Sequence, residues 1–454
     1  MIHRATLHRT PVLAAMLVLA VLLSGCTSYS TIINKPRAAT TVNQAYSIGS
    51  AVSASRSGEL TLVLAFSGGG TRAAALAYGV LAELRDTRVV IDGRSRRLLD
   101  EVDLISSVSG GSFTAAYFGL NGDALFSNFE DEFLRRDVAG ELVHGLFSPA
   151  WWFSSRGRTE MAVDFYDASV FKGATFADLQ QGPGPLIVIN ASDLGAGVRF
   201  SFLQEYFDLL CSDLATFPVA RAVTASSAVP MLFTPVALEN HAGCDPARQG
   251  WVRDAQHYLT ESPQLVQVLD GLQSYADKDR RRFIHLVDGG ITDNLGLRAI
   301  YDIIEVAGGP RRLLRNVGTT PASRLAIVSV NASTRVGSDM EASARAPTLE
   351  QTANAVTDIQ LHRYNASTVE LLQASVRRWA DELSTPAAPV ESYFVRVDFE
   401  AVAEPERRAY FNGIPTSLAL SDEQVDQLIA AGRELLRNNV EFRRFVDDLG
   451  SDAL

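Results

Sequence analysis

Apolar positions along the chain fall into blocks of two kinds. The first is a nearly continuous run, Val12–Leu23, followed from Thr27 to Gly58 by a polar stretch with no sustained period. Leu60–Phe66 is then apolar throughout and of strand length, as suits a strand buried on both faces of a parallel sheet. Glycines 68 to 70 follow it, and Ala73–Leu84 is rich in helix formers. A second strand is expected at Val102–Val108, meeting Gly110-Gly111 and a helical stretch to about Leu120. Further strands are expected at Leu186–Asn190, Phe283–Val287, Leu325–Val330 and Tyr393–Val397. Strand and helix patterns alternate, which predicts an α/β layered fold with a mainly parallel sheet. From Ser421 to Leu449 the apolar residues Val425, Leu428, Ile429, Leu435 and Leu436 keep helical spacing, as in a packing helix.

The amino terminus reads as a separate object. His3, Arg4 and Arg9 precede an apolar core of about a dozen residues, too short for a mature membrane span and suited to a secretory signal over 1–25. Its end, Leu23-Ser24-Gly25-Cys26, resembles the bacterial lipobox, which implies that Cys26 is lipidated and begins the mature chain. Thr27 after the cysteine resembles lipoproteins released to the outer membrane, so a lipid-anchored protein of the cell envelope is expected. The plainer alternative is a cut at a small residue with Cys26 incidental. Residues 26–59, rich in Ser, Thr and Ala, read as a tether, and 60–454 as the folded unit. In an oxidising compartment Cys211 and Cys244 would commonly pair; two separate buried thiols are the alternative.

Composition narrows the partners. The chain is 47% hydrophobic and 20% charged, which is globular and unlike a disordered segment. Its net charge of −11 offers no basic field for a polyanion, which excludes nucleic acid.

Two strand-to-helix turns carry candidate chemistry. In the first, Ser107-Val108-Ser109-Gly110-Gly111 has the shape of a nucleophile elbow, with Ser107 where the usual first glycine stands and Gly111 where the second does. Small residues are required there because strand and helix backbones approach closely, and a helix beginning at Ser109 favours negative charge developing nearby. In the second, Ser67-Gly68-Gly69-Gly70-Thr71-Arg72 lacks the ending of a phosphate-binding P-loop and the spacing of a dinucleotide fingerprint. It fits either a plain tight turn or an oxyanion hole built from exposed amides, with Arg72 fixing the loop or steadying negative charge. A carboxylate stands at the end of a third strand, in Asp288-Gly289-Gly290. A Ser-His-Asp arrangement finds poor partners. His285 points to the opposite face of its own strand, and His362 sits in a helix-like stretch, Asp358–Tyr364. A carboxylate acting directly on the serine is the alternative.

Together these segments, in this order and spacing, resemble the patatin-like phospholipases, and specifically their bacterial lipoprotein branch. Ala225–Pro230 with Phe233–Pro235, and Asn190–Leu194, add to the likeness, which is strong over about 60–300 and weak beyond, where a helical extension is expected. The resemblance implies a three-layer α/β fold and a Ser109–Asp288 dyad. The amides of Gly68, Gly69 and Gly70 would form the oxyanion hole, with Arg72 beside them. It also implies acyl-ester hydrolysis of phospholipid or other lipid, with no metal and no cofactor. An inactive lipid-binding or scaffolding protein, a Ser-His-Asp esterase and a component of a larger secretion system are the competing readings. The aromatic segment His144–Phe153 reads as either core or an interfacial lid.

Overall fold

The computed structural model describes residues 30–37, 46–49, 57–138, 140, 157–230, 232–245, 249–255, 262–335 and 344–450. The signal segment, Cys26 and the 144–153 aromatics lie outside them.

The sheet is built from β1 (Leu60–Phe66), β2 (Val102–Val108), β3 (Leu186–Asp193), β4 (Val198–Ser201), β5 (Val236–Glu239), β6 (Phe283–Val287), β7 (Arg324–Asn331) and β8 (Glu391–Asp398). Their order is β8-β7-β1-β2-β3-β6-β5, with β4 also pairing β3. The five strands β8, β7, β1, β2 and β3 are parallel neighbours, whereas β4, β6 and β5 join antiparallel. The sheet is mixed but mostly parallel, with helices on both faces, in keeping with the expected layered α/β class.

Alternation along β1 shows why the run had to be apolar throughout. Leu62, Leu64 and Phe66 face one core, together with α1 (Gly70–Asp86) and α2 (Gly110–Asn121). Val63 and Ala65 face a second core with α4 (Leu297–Val306) and α5 (Leu349–Leu383), which includes Trp379. The remaining helices used below are α3 (Val219–Ser226), α6 (Asp422–Asn438) and α7 (Val440–Leu449).

Three features go beyond the expectations. After residue 300 the strands expected at Leu325–Val330 and Tyr393–Val397 are β7 and β8, which extend the sheet beyond β1, so the helices of this region belong to the same folded unit, with α6 packed on α1. Gly432 comes so close that an added Cβ would lie 2.4 Å from the Leu76 carbonyl oxygen. The tail expected as one helix is two, since the Asn439 side chain accepts from the Glu441 and Phe442 amides and starts α7 afresh. Part of the expected tether is also fastened down. Lys35-Pro36 pairs with Asp213-Ser212, and the Tyr46 hydroxyl donates to the Ile187 carbonyl (2.9 Å) while accepting its amide (2.8 Å). Tyr46 thereby satisfies a peptide unit that would otherwise need a neighbouring strand.

Candidate active site

β1 and β2 are parallel neighbours, so the turns that follow them emerge side by side at the same edge of the sheet. The turn after β2 places Ser109 at φ 50°, ψ −122°, a left-handed backbone that a non-glycine residue adopts only when its surroundings impose it. Two contacts impose it here. The Ser109 amide donates to Ser226 Oγ at 2.8 Å, and Ser226 Oγ donates in turn to the Asn190 carbonyl at 2.6 Å. Behind the turn, an added Cβ on Gly111 would lie 2.7 Å from the Ser67 carbonyl oxygen, and one on Gly110 only 1.9 Å from that of Gly70. The elbow therefore has no room for side chains at 110 and 111. Ser107, at the remaining small-residue position, is fully buried and donates to the Val188 carbonyl, so its hydroxyl is satisfied without disturbing the turn.

The close approach of Gly70 and Gly110 brings the first residues of α1 and α2 together, and with them two helix N-termini beside Ser109. Their unpaired amides and dipoles favour negative charge at this point. The Gly69 and Gly70 amides have no hydrogen-bond partner among the described residues, as a loop able to receive an oxyanion requires. Gly68 differs from expectation: its amide is committed to the Asn294 carbonyl at 2.9 Å, so it holds the loop rather than offering a donor. Arg72 is also a clamp. Its guanidinium is buried and donates to the Ala332 and Ile414 carbonyls and to Thr416 Oγ1, fastening the glycine loop to the chain after β7 and to the segment before α6. Burial lowers its pKa to about 10.

The carboxylate comes from the end of β6. Ser109 Oγ donates to Asp288 Oδ2 at 2.9 Å, and the Gly290 amide donates to Asp288 Oδ1 at 2.7 Å, so both oxygens are held. Gly289 has to be a glycine, since an added Cβ would lie 2.3 Å from the Asn190 carbonyl oxygen. Burial raises the Asp288 pKa from 3.8 to about 6, against the opposing bonds from Gly290 and Ser109. A carboxylate so placed is ionised at neutral pH yet accepts a proton far more readily than an exposed aspartate.

Neither candidate histidine joins this pair. His362 sits on α5 with its ring nitrogens against the Asp358 and Thr334 carbonyls, and His285 is exposed on β6, three residues before Asp288. Among the described residues, no group of three or more His, Cys, Asp or Glu side chains could hold a metal ion. Cys211 and Cys244 are joined as a disulfide, remote in sequence from the elbow. Sequence reasoning missed the roles of Ser226, Asn190 and Asn294. Ser226 and Asn190 lie in segments noted in the sequence and Asn294 follows the Asp288 turn, but only the folded chain shows what they support.

No curated protein is matched by this chain. The fold is similar to solved structures of human GIVD cytosolic phospholipase A2. One, in complex with methyl gamma-linolenyl fluorophosphonate, is 12% identical, with 89% of this chain and 62% of that chain covered and a TM-score of 0.41. Another is 13% identical, with 86% and 60% covered and a TM-score of 0.42. The chain thus spans about three fifths of the length of those relatives. The family described as Patatin-like phospholipase matches residues 64–301, more than half of the 454, and that span contains the glycine loop, the elbow and Asp288. On that match, the chain belongs to the patatin-like phospholipase family, a family of lipid hydrolases.

Proposed function

We propose that the protein is a serine acyl-ester hydrolase of phospholipase A or lysophospholipase type, with Ser109 as nucleophile and Asp288 as its sole general base. The observation that carries this reading is the 2.9 Å bond from Ser109 Oγ to a buried carboxylate, made from a strained elbow. Asp288 accepts the hydroxyl proton as Oγ attacks the ester carbonyl, and the resulting oxyanion lies toward the Gly69 and Gly70 amides. Collapse expels the alcohol portion, which takes the proton from Asp288 and leaves an acyl group on Ser109. Water then attacks the acyl-enzyme, again giving its proton to Asp288. The second collapse returns that proton to Ser109 as the fatty acid departs. A carboxylic acid of raised pKa protonates a departing alkoxide well, so no histidine is needed.

The lipobox-like Leu23–Cys26 supports a further part of the reading, that the chain is anchored to a cell-envelope membrane through Cys26. Labelled palmitate incorporated by the full chain and absent from Cys26→Ala is the expected result; label persisting in that variant refutes the anchor.

For the chemistry, lipid products formed by the full chain are compared by mass spectrometry with those from Ser109→Ala and Asp288→Asn. General-base catalysis typically contributes about 10² to 10⁴-fold, and Asp288→Asn should lose at least that much. Full ester hydrolysis by either variant would overturn the dyad. Failure of a fluorophosphonate to label Ser109 would favour the inactive scaffold instead.

A further inference from the structure

We propose that the edge of the sheet carrying Ser109 is a bilayer-docking face, formed by side chains outside the catalytic machinery. This inference rests on the reading above that the substrate is a membrane lipid.

β1, β2, β3 and β7 are linked by parallel pairings, so Gly68, Ser109, Leu194 and Ser333, just beyond their carboxyl ends, lie at one edge. Most of the large apolar side chains left exposed among the described residues gather there. Leu194 (58% exposed) directly follows β3, and Leu232 (59%) and Val229 lie on the turn after α3, where Asp288 donates its amide to the Ala228 carbonyl. Ile291 follows the glycine pair beside Asp288. Val356 and Ile359 (55%) lie on α5, about two and a half and one and a half turns before Asn365, whose side chain bonds Ser333 at that same edge. An exposed apolar group of this size around a catalytic mouth marks an interaction surface.

Two observations identify the occupant as a lipid surface. The first is charge. β6 runs antiparallel to β3, so its first residue, Phe283, projects beyond the same edge. Phe283 is exposed with Arg282 over its ring, and Arg280 is exposed two residues earlier. In a chain of net charge −11, residues 277–282 (Asp-Lys-Asp-Arg-Arg-Arg) carry four cations against two carboxylates, a local excess of positive charge suited to phosphate headgroups. The second is the point where the amino-terminal segment joins the fold. Ser30 Oγ donates to the Pro235 carbonyl at 2.8 Å, three residues after Leu232. The Thr31 carbonyl accepts from Arg221, whose buried ion pair with Glu160 holds it in place. Cys26 is four residues before Ser30, a reach of at most about 14 Å. A chain anchored at Cys26 therefore keeps the Leu232 turn close to the membrane.

The test pairs Leu194→Asp with Leu232→Asp, and uses vesicles of equimolar phosphatidylcholine and phosphatidylglycerol. Flotation is read in the Cys26→Ala background, which removes the anchor and reports the face alone. Hydrolysis by the anchored chain is read on the same vesicles and on a soluble short-chain ester. The double variant should keep soluble-ester turnover within about twofold while flotation and vesicle hydrolysis fall by more than about tenfold, because interfacial binding scales with the apolar area buried. Undiminished flotation and vesicle hydrolysis in the double variant would overturn the proposal. If that variant fails to fold, Val356→Asp with Ile359→Asp, on the surface of α5, must show the same split or the proposal fails. Flotation of the parent chain without hydrolysis of either substrate would refute the hydrolase reading and leave the docking face standing. Hydrolysis of the soluble ester with no effect of the aspartates on flotation would do the reverse.

Discussion

The Ser109 hydroxyl and the Asp288 carboxylate, 179 residues apart in sequence, meet at 2.9 Å, with both groups more than nine-tenths buried. Their meeting depends on β3: β4 takes one side of its last residues, and on the other side β2 runs up to Asn190 while β6 runs back to Ser192, so the two turns meet end to end beside the same strand. Dependence on one carboxylate and on tight backbone contacts gives the site four measurable properties.

Hydrolysis of a soluble ester should rise with pH through an ionisation near 6, because Asp288 must be deprotonated to accept the Ser109 proton and burial holds its pKa at about 6. The kcat/KM profile of the free enzyme reads this ionisation. An acid limb centred near 4 would show that Asp288 is not the base.

The same burial costs stability. Because the folded-state pKa lies above the unfolded one, the native state binds more protons between about pH 4 and 6, and stability falls as pH rises through that window. Two pKa units correspond to about 3 kcal/mol. Asn at 288 can still accept from Gly290 and donate to Ser109 Oγ without carrying charge. Asp288→Asn should therefore be inactive yet more stable by about 1–3 kcal/mol at pH 8 in urea unfolding, with the gain vanishing toward pH 4. A loss of stability at pH 8 would contradict the desolvation cost.

Ser226 acts as a positioning residue for the elbow. Ser226→Ala removes the acceptor for the Ser109 amide and leaves a buried N–H unpaired, for a cost of about 1–3 kcal/mol. The expected kinetic result is a lower kcat with KM little changed and the acid limb still near 6. A purely structural role would lower stability without moving kcat of the folded fraction.

Gly110→Ala should be among the most damaging single changes in the chain, because its Cβ would fall 1.9 Å from the Gly70 carbonyl oxygen, a backbone atom between two packed helices. A loss of more than about 3 kcal/mol, with loss of activity, is expected from thermal unfolding. Gly250→Ala is the control: its Cβ meets nothing within 4 Å, and a change within about 0.5 kcal/mol is expected.

Much of this arrangement was legible along the chain because it is local. An apolar run of strand length, small residues at a turn and helix formers after it are statements about neighbouring residues, and they predicted β1, β2, β6 and the elbow with their observed limits. Longer-range features gave no such signal. β4 and β5 are four residues each, too short for a period to register. The helical bias of 421–449 did not show that Asn439 would cap a second helix.

By itself, then, the sequence determined the layered α/β class and the two glycine-flanked turns, and it singled out Ser109 and Asp288 as the candidate pair, because each of these signals lies in contiguous residues. The tertiary structure alone decided which groups those turns present. It ties Gly68 to Asn294 and turns Arg72 into a clamp on the 414–416 segment, while among the described residues the Gly69 and Gly70 amides stay open. It also supplies Ser226 as the acceptor behind the elbow. These are hydrogen bonds between residues as many as 344 positions apart, and whether a buried polar group is satisfied or available depends on what folding brings beside it.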